Sequence, residues 1–458
     1  MQLCLYLLLE YLLAFNFIIV RSVPSYYQWA IAFCSANEFK CNNKKLQLTC
    51  ASQYNQFQTL RVTCNSEAAV LSLKALIDIE KVDLMNEGIG RTIDILVSPE
   101  NLSYAERVIT DTGAIIEVLN EDVGEDIDKE NNKSQKLLSS ATSFFQGYHS
   151  VKDQHAFLDK LVKLHPDTAE TFSIGKSYEK RDLQAIRISN NLSSSGNKPL
   201  IWVDGGIHAR EWVAPATILY MAAALLEHVD SGLGFQDILD NYQLVLLPNS
   251  NPDGYEHSRE ENRYWRKTRR PSGCKRMNKK GRCRKGSPKC YGIDPNRNFD
   301  AAFNTAGVDS NPCSYIYPGK SPFSEKNTAA IRDYITIHLD KMALFMTYHA
   351  YSQLFLKPLG YKNANPSDIQ IHDVAGDAYV KAVLDTHGSN YRNIKSYQLY
   401  PTSGGSSDWA YLQGIVNSYA VELRDTGKHG FVLPVNQIVP CGEENLRGLI
   451  ALIRQLQY

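Results

Sequence analysis

PLIWVDGGIHAREWVAPATILYMAAALLEHV, residues 199–229, decides the fold. Its first residues, PLIWVD (199–204), form a short, continuous apolar run, which reads as a buried strand. From Glu211 onward the pattern is helical, with Pro215 near the start, where a helix tolerates proline. A strand handing over to a helix is the building unit of a largely parallel sheet covered on both faces. QLVLLPN (243–249), MALFMTYH (342–349) and NSYAVELR (417–424) are further strands of that sheet, and NQIVPCGEENLRGLIALIRQLQ (436–457) is a closing helix. This alternation runs from about residue 147 to the C-terminus, and the chain has no internal repeats.

Working outward toward the N-terminus, residues 57–123 read as a separate small α/β unit. FQTLRVTC, RTIDILVS and AIIEVLNED are strands; SEAAVLSLKALIDIE is an amphipathic helix, and SPENLSYAERVITDTG opens and closes as a helix should. The acidic, polar stretch 120–136 that follows reads as an exposed linker, so a domain boundary belongs there. A segment at 26–53 carries cysteines but no periodicity.

A length of 458 residues is comfortable for two domains, and 43% hydrophobic with 21% charged residues is globular composition. The 49 basic and 49 acidic residues cancel, which excludes a chain-wide nucleic-acid surface. Two local blocks survive, an acidic one at 117–130 and a basic one at 263–289. Residues 1–20 are almost entirely apolar and read as a secretory signal peptide cleaved near Ser22 to Ser25. An uncleaved anchor is the alternative, but Glu10 interrupts the run, and no second stretch is long enough to span a bilayer. Ten cysteines with no CxxC pair fit disulfides in an oxidising compartment rather than a thiolate zinc site. Acceptor sequons at Asn101, Asn132 and Asn191 agree with secretion.

The chemistry-bearing residues begin at the end of the first strand. His208 and Glu211 sit where the strand gives way to the helix, the place where open α/β sheets put their sites. A His and a carboxylate three residues apart can face one metal, and zinc accepts both donors. The same spacing recurs at His257 and Glu260, in the polar run EHSREENR, and there reads as solvated surface. A catalytic zinc needs a third protein ligand, for which His349, ending MALFMTYH, is the candidate; taken alone it reads as a core histidine.

Taken together, HAREW (208–212), NSNPDGY (249–255), RYWRKTR (263–269), DPNRN (294–298), YHAYSQ (348–353), SGGSSDW (403–409) and ELRDTG (422–427) make the chain resemble the zinc carboxypeptidases of the pancreatic A/B type. The likeness runs from about Tyr148 to Tyr458, with a weaker match of 57–123 to that family's activation peptide. Carboxypeptidase A is itself a standard example of a zinc site made by two histidines and a glutamate. The resemblance implies an α/β/α catalytic domain around a mixed eight-stranded sheet, preceded by a small antiparallel α/β prodomain capping the site. It divides the chain into a signal peptide (1–22), an activation peptide (23–136) and a zinc carboxypeptidase domain (137–458).

Position by position, the resemblance makes His208, Glu211 and His349 the ligands of one Zn2+, with Asp294 behind His208 fixing its tautomer. It makes Glu422 the catalytic carboxylate, although a strand-end ion pair with Arg424 is the plainer reading of that residue alone. Arg266 corresponds to the arginine that stabilises the oxyanion, and Arg210 to one that contacts residues further along the substrate. Asn296 and Arg297 match the clamp for a free α-carboxylate, a task suited to the planar guanidinium fork. Tyr400 matches a mobile tyrosine that closes over substrate, while Tyr351 and Phe431 match substrate-binding positions. Cys290 and Cys313 match the family's disulfide, so that Cys274 and Cys283 can pair within a basic insertion at 271–290, leaving Cys441 odd. That insertion reads as a solvated loop, or as a surface for a polyanion or for the acidic 117–130 block.

Substrate preference follows from Ser407, which takes the family's pocket-floor position. An acidic residue there selects Lys or Arg ends; Ser407 supplies no counter-charge, and Leu356, Leu399 and Ala420 nearby favour aliphatic or aromatic ends. Were the Lys395 ammonium to reach the pocket, acidic ends would be preferred instead. The implied partners are peptides with a free C-terminus and a trypsin-like protease cutting after Lys133 or, preferentially, Lys136; a secreted monomer without nucleic-acid or stable membrane partners is expected. The competing reading is a catalytically silent secreted peptide-binding protein, which typically lacks a ligand or the general base. A hormone-processing relative would instead carry a further C-terminal β-domain.

Overall fold

The computed structural model describes residues 52–85, 91–133, 141–227, 234–276 and 283–456. The expected signal peptide, Cys34, Cys41, Cys50 and Lys136 lie outside the described residues. The N-terminal unit is a four-stranded antiparallel sheet built from β1 (Gln58–Thr63), β2 (Asp83–Leu84), β3 (Thr92–Val97) and β4 (Ile115–Asn120), in the order β2-β3-β1-β4. Helices Glu67–Asp78 and Pro99–Thr110 belong to the same unit. The first begins at Ser66, whose side chain accepts from the Ala69 amide at 3.1 Å, and the second has proline in its first turn. Leu60, Val62, Leu73, Ile93, Ile95 and Ile109 form the core between sheet and helices.

The stretch 120–136, expected as an exposed linker, requires correction. Residues Val123–Lys133 form a helix, with Val123, Ile127 and Glu130 buried. These three stand at i, i+4 and i+7, so a single apolar stripe docks a helix that is acidic elsewhere. Two apolar residues among so many charges leave that stripe easily overlooked.

The second unit holds β5 (Ala169–Lys176), β6 (Asp182–Ile188), β7 (Leu200–Gly205), β8 (Gln243–Leu247), β9 (Pro271–Cys274), β10 (Lys289–Tyr291), β11 (Met342–Ala350), β12 (Leu354–Lys357), β13 (Arg392–Lys395) and β14 (Ser418–Leu423). Eight of them make one mixed sheet in the order β13-β12-β14-β11-β7-β8-β6-β5, while β9 and β10 pair as a separate hairpin. The central strands β14, β11, β7 and β8 are mutually parallel; β12 and β6 flank them antiparallel, and at the edges β13 pairs parallel with β12 and β5 antiparallel with β6.

Both faces of the centre are covered, which is why β7 is apolar at every other position on either side. Ile201 and Val203 pack with the helices Val213–Glu227 and Ile438–Ile453. Leu200 and Trp202 pack on the opposite face with Ile331, Ile335 and Trp409. Every residue from Val213 to Leu226 is buried, at roughly 1.5–3 kcal/mol for each large apolar side chain. The turn out of β7 needs Gly206, where φ is +66° and a Cβ would lie 2.8 Å from the Pro215 ring. Cys274 is bonded to Cys283 and Cys290 to Cys313; Cys64 and Cys441 are buried and have no disulfide partner among the described residues.

Candidate metal centre

Three parallel strands end side by side at the site. β7 delivers the turn bearing His208 and Glu211, and β11 and β14 carry His349 and Glu422 one residue before their ends. Registration sets His349 directly opposite Glu422 across β11 and β14. Side chains on opposed positions of neighbouring strands share a face, so the two project together toward the turn after β7.

The ligand atoms of His208, Glu211 and His349 lie within 4.8 Å of one another, and all three residues are buried. It is the one such His/Cys/Asp/Glu group found among the described residues. His208 Nδ1 is 2.8 Å from Glu211 Oε1 and 3.2 Å from His349 Nδ1, and His349 Nδ1 is 3.2 Å from Glu211 Oε2. On its far side His208 Nε2 lies 3.2 Å from Asp294 Oδ1. A proton on Nε2 donated to that carboxylate leaves the Nδ1 lone pair facing Glu211 and His349. Burial alone would push the Glu211 carboxyl up, but His208 and His349 beside it bring it below the usual range, so it is ionised. Two imidazole nitrogens and one ionised carboxylate, converging and shielded from solvent, fit a catalytic zinc.

Arg266 brackets the centre. Its Nε and Nη2 donate to Asp294 Oδ2 at 3.0 and 2.9 Å, and its Nη1 lies 3.2 Å from His208 Nδ1. Burial opposes ionisation of Asp294, yet Arg266, with Arg297 and His208, holds its carboxyl well below the usual range. Asn296 sits on the other side, with Nδ2 3.4 Å from His349 Nε2 and Oδ1 accepting from the Ser406 amide at 3.0 Å. Arg297 is fully buried beneath it, donating from Nε to the Gly307 carbonyl at 2.9 Å, with the Tyr400 ring centroid 5.8 Å from its guanidinium carbon. Ser407 follows at the start of the helix Ser406–Leu412, where its carbonyl accepts from Ser418 Oγ at 2.7 Å. Leu356, Ala420, Leu354, Ile394 and Leu399 cluster as one small apolar group.

Arg210, Tyr351 and Phe431 come together beside the centre, and the N-terminal unit occupies them. Arg210 stacks on Phe431, 4.1 Å from the ring centroid, and its Nη2 donates to the Met85 carbonyl at 2.9 Å. The Tyr351 hydroxyl donates to Asp94 Oδ2 at 2.7 Å, and the same carboxylate receives Arg61 through two bonds of 2.8 and 2.9 Å. The helix Val123–Lys133 adds a buried ion pair, in which Arg263 Nε and Nη2 meet Glu130 at 2.7 and 3.0 Å. Arg263 also donates to the carbonyls of Arg210 and Phe431 at 2.7 and 2.6 Å, bridging the unit to the site.

Asp94, Glu130 and Arg263 were not singled out by the sequence reading. A polar residue interrupting the apolar strand TIDILV is a usable signal for Asp94, but nothing local marks the other two as partners. Arg424, the alternative partner of Glu422, is instead bonded to Glu444, from Nε at 2.8 Å.

Comparison with known proteins gives a consistent result. A profile described as zinc carboxypeptidase matches residues 154–448, and one described as carboxypeptidase activation peptide matches 60–130. Carboxypeptidase A1 of Sus scrofa is 35% identical over 405 residues, 86% of this chain and 93% of that protein. Carboxypeptidase B of Astacus astacus is 38% identical over 304 residues, 66% of this chain and 94% of that protein. Among solved structures, thrombin activatable fibrinolysis inhibitor superposes with a TM-score of 0.78 at 27% identity, over 88% of this chain and 99% of that one.

Proposed function

The chain belongs to the zinc carboxypeptidase family and carries that family's activation peptide, and from this premise we propose a secreted enzyme that releases single aliphatic or aromatic residues from peptide C-termini. The observation that carries the reading is the pairing of Glu422 with His349 across neighbouring strands, beside a buried two-histidine, one-glutamate centre. His208, Glu211 and His349 would hold the zinc, which would supply Lewis-acid polarisation of the scissile carbonyl and a lowered pKa for the attacking water.

The remaining work falls to the chain's own side chains. Arg297 and Asn296 grip the terminal carboxylate, which restricts cutting to chain ends, and Tyr400 closes over the bound residue. Glu422 takes a proton from the attacking water and returns it to the departing amine. Arg266 donates toward the carbonyl oxygen as negative charge develops there, and its bond to Asp294 fixes its orientation. Arg210, Tyr351 and Phe431 receive residues upstream of the cut.

The apolar preference is supported by the cluster of Leu356, Leu399, Ala420 and Ile394, with Ser407 and no carboxylate at the floor position. Lys395 follows Ile394 along β13, so alternation sends its side chain to the other face, and its Nζ bonds to Asn363 and Asn365 at 3.2 and 3.0 Å. Those contacts argue against the acidic preference. Secretion is supported by the two disulfides, which suit an oxidising compartment.

Activated protein is expected to hydrolyse matched peptides ending in Phe or Leu with kcat/KM at least about tenfold above those ending in Glu or Arg, the discrimination of roughly one buried charge mismatch. A measured preference for Glu would turn the reading toward Lys395, and one for Arg would refute it.

A further inference from the structure

We infer that Tyr315 is a specificity-determining residue of the groove upstream of the cut, and that this groove selects an unbranched apolar side chain such as methionine. The inference rests on the carboxypeptidase reading and adds a second point of selection, apart from the pocket for the released residue. Neither Tyr315 nor Met85, the residue that reveals the preference, stands in any of the motifs that carry the family resemblance.

Arg210 has two aromatic neighbours. Its guanidinium carbon lies 4.1 Å from the Phe431 ring centroid and 6.0 Å from that of Tyr315. Phe431 in turn meets Tyr351 edge-on, with centroids 5.1 Å apart, and Tyr264 at 6.2 Å. Four rings thus gather around one guanidinium, whose N–H groups suit peptide carbonyls while the rings suit an apolar side chain.

Tyr315 is held from both directions along the chain. Two residues before it, Cys313 is bonded to Cys290. Two residues after it, the Tyr317 carbonyl accepts from the amide of Asp294 at 2.8 Å, and Asp294 is the carboxylate behind His208. A ring so anchored is a fixed wall, set in register with the metal centre.

The N-terminal unit shows what the groove accepts. The Leu84 and Met85 carbonyls accept from Arg210 Nη1 and Nη2 at 3.4 and 2.9 Å, the bonds that an extended substrate offers from its own backbone. The Met85 side chain is buried, and it belongs to the apolar cluster of Tyr264, Tyr351 and Phe431 rather than to the core of its own unit. Tyr315 lies against the same segment: burial raises its hydroxyl above the usual range, and Asp83 of β2 adds to the rise. With its N–H groups on carbonyls and its face on Phe431, Arg210 leaves the incoming side chain to meet rings. Methionine suits such a place, being unbranched and carrying a thioether that packs well on ring edges.

The test uses the activated enzyme and pairs of acetylated alanine pentapeptides ending in leucine. Each pair differs only by Met or Ser at the second or the third residue upstream of the cut. At one of these positions Met is expected to raise kcat/KM about tenfold over Ser, the effect of burying one such side chain, through KM rather than kcat. Tyr315→Ser should shrink that ratio to about twofold, while Tyr315→Phe, which keeps the ring, should preserve it. Each ratio is taken on one preparation, so any loss of folded enzyme cancels. A ratio near one at both positions in the wild type, or an unchanged ratio in Tyr315→Ser, overturns the inference and leaves the carboxypeptidase reading standing. Hydrolysis of none of the peptides refutes that reading, and this inference with it.

Discussion

Glu422→Gln should keep the fold and a full complement of zinc while kcat falls by about 10²–10⁴, the usual contribution of a positioned proton carrier. Gln preserves the size of the side chain beside His349, so the loss isolates proton transfer from packing. His208→Ala provides the contrast, because it removes a ligand and should lower bound zinc itself. Zinc content by atomic absorption, alongside kcat on one peptide, separates the two. Turnover of the Gln variant near that of wild type would remove Glu422 from the mechanism.

The second large effect is activation. The uncut precursor should be close to inactive, since the N-terminal unit holds Arg210 through the Met85 carbonyl and Tyr351 through Asp94. Cleavage by a trypsin-like protease, placed after Lys136 by the sequence reading, is expected to raise activity to its full level; an uncut precursor already fully active would refute this. Severing the chain does not break the Glu130–Arg263 pair, so the cut unit should remain bound at first. Glu130→Gln leaves the Arg263 charge buried without its counter-charge, a loss of about 3–5 kcal/mol for such pairs. The freed unit should then bind roughly two to three and a half orders of magnitude more weakly, measured as the concentration of cut unit that half-inhibits the enzyme. An unchanged half-inhibiting concentration would show that the pair does not hold the unit in place.

Legibility in the sequence followed locality. His208 and Glu211 are three residues apart at a strand end, and His349 and Glu422 each close an apolar run, so all four could be marked as candidates from the sequence, the latter two with the help of the resemblance. The central strands were legible because burial on both faces leaves them uniformly apolar. What the sequence concealed was pairing across distance. Glu130 and Arg263 are 133 positions apart, and nothing in either neighbourhood names the other. The helix Val123–Lys133 was hidden for a related reason: its stability comes from the surface it docks on, which no local propensity expresses.

Because His349 and Glu422 occupy the same rung of the sheet, the two strands behave like a reading frame. A deletion of one residue within β11 or β14 would turn every following side chain to the opposite face, and the rung would be lost even though each residue type survived. Loops carry no such constraint, and the 271–290 hairpin could be accommodated without moving either strand. The descent of this protein should therefore record additions and losses freely between strands and almost none inside these two.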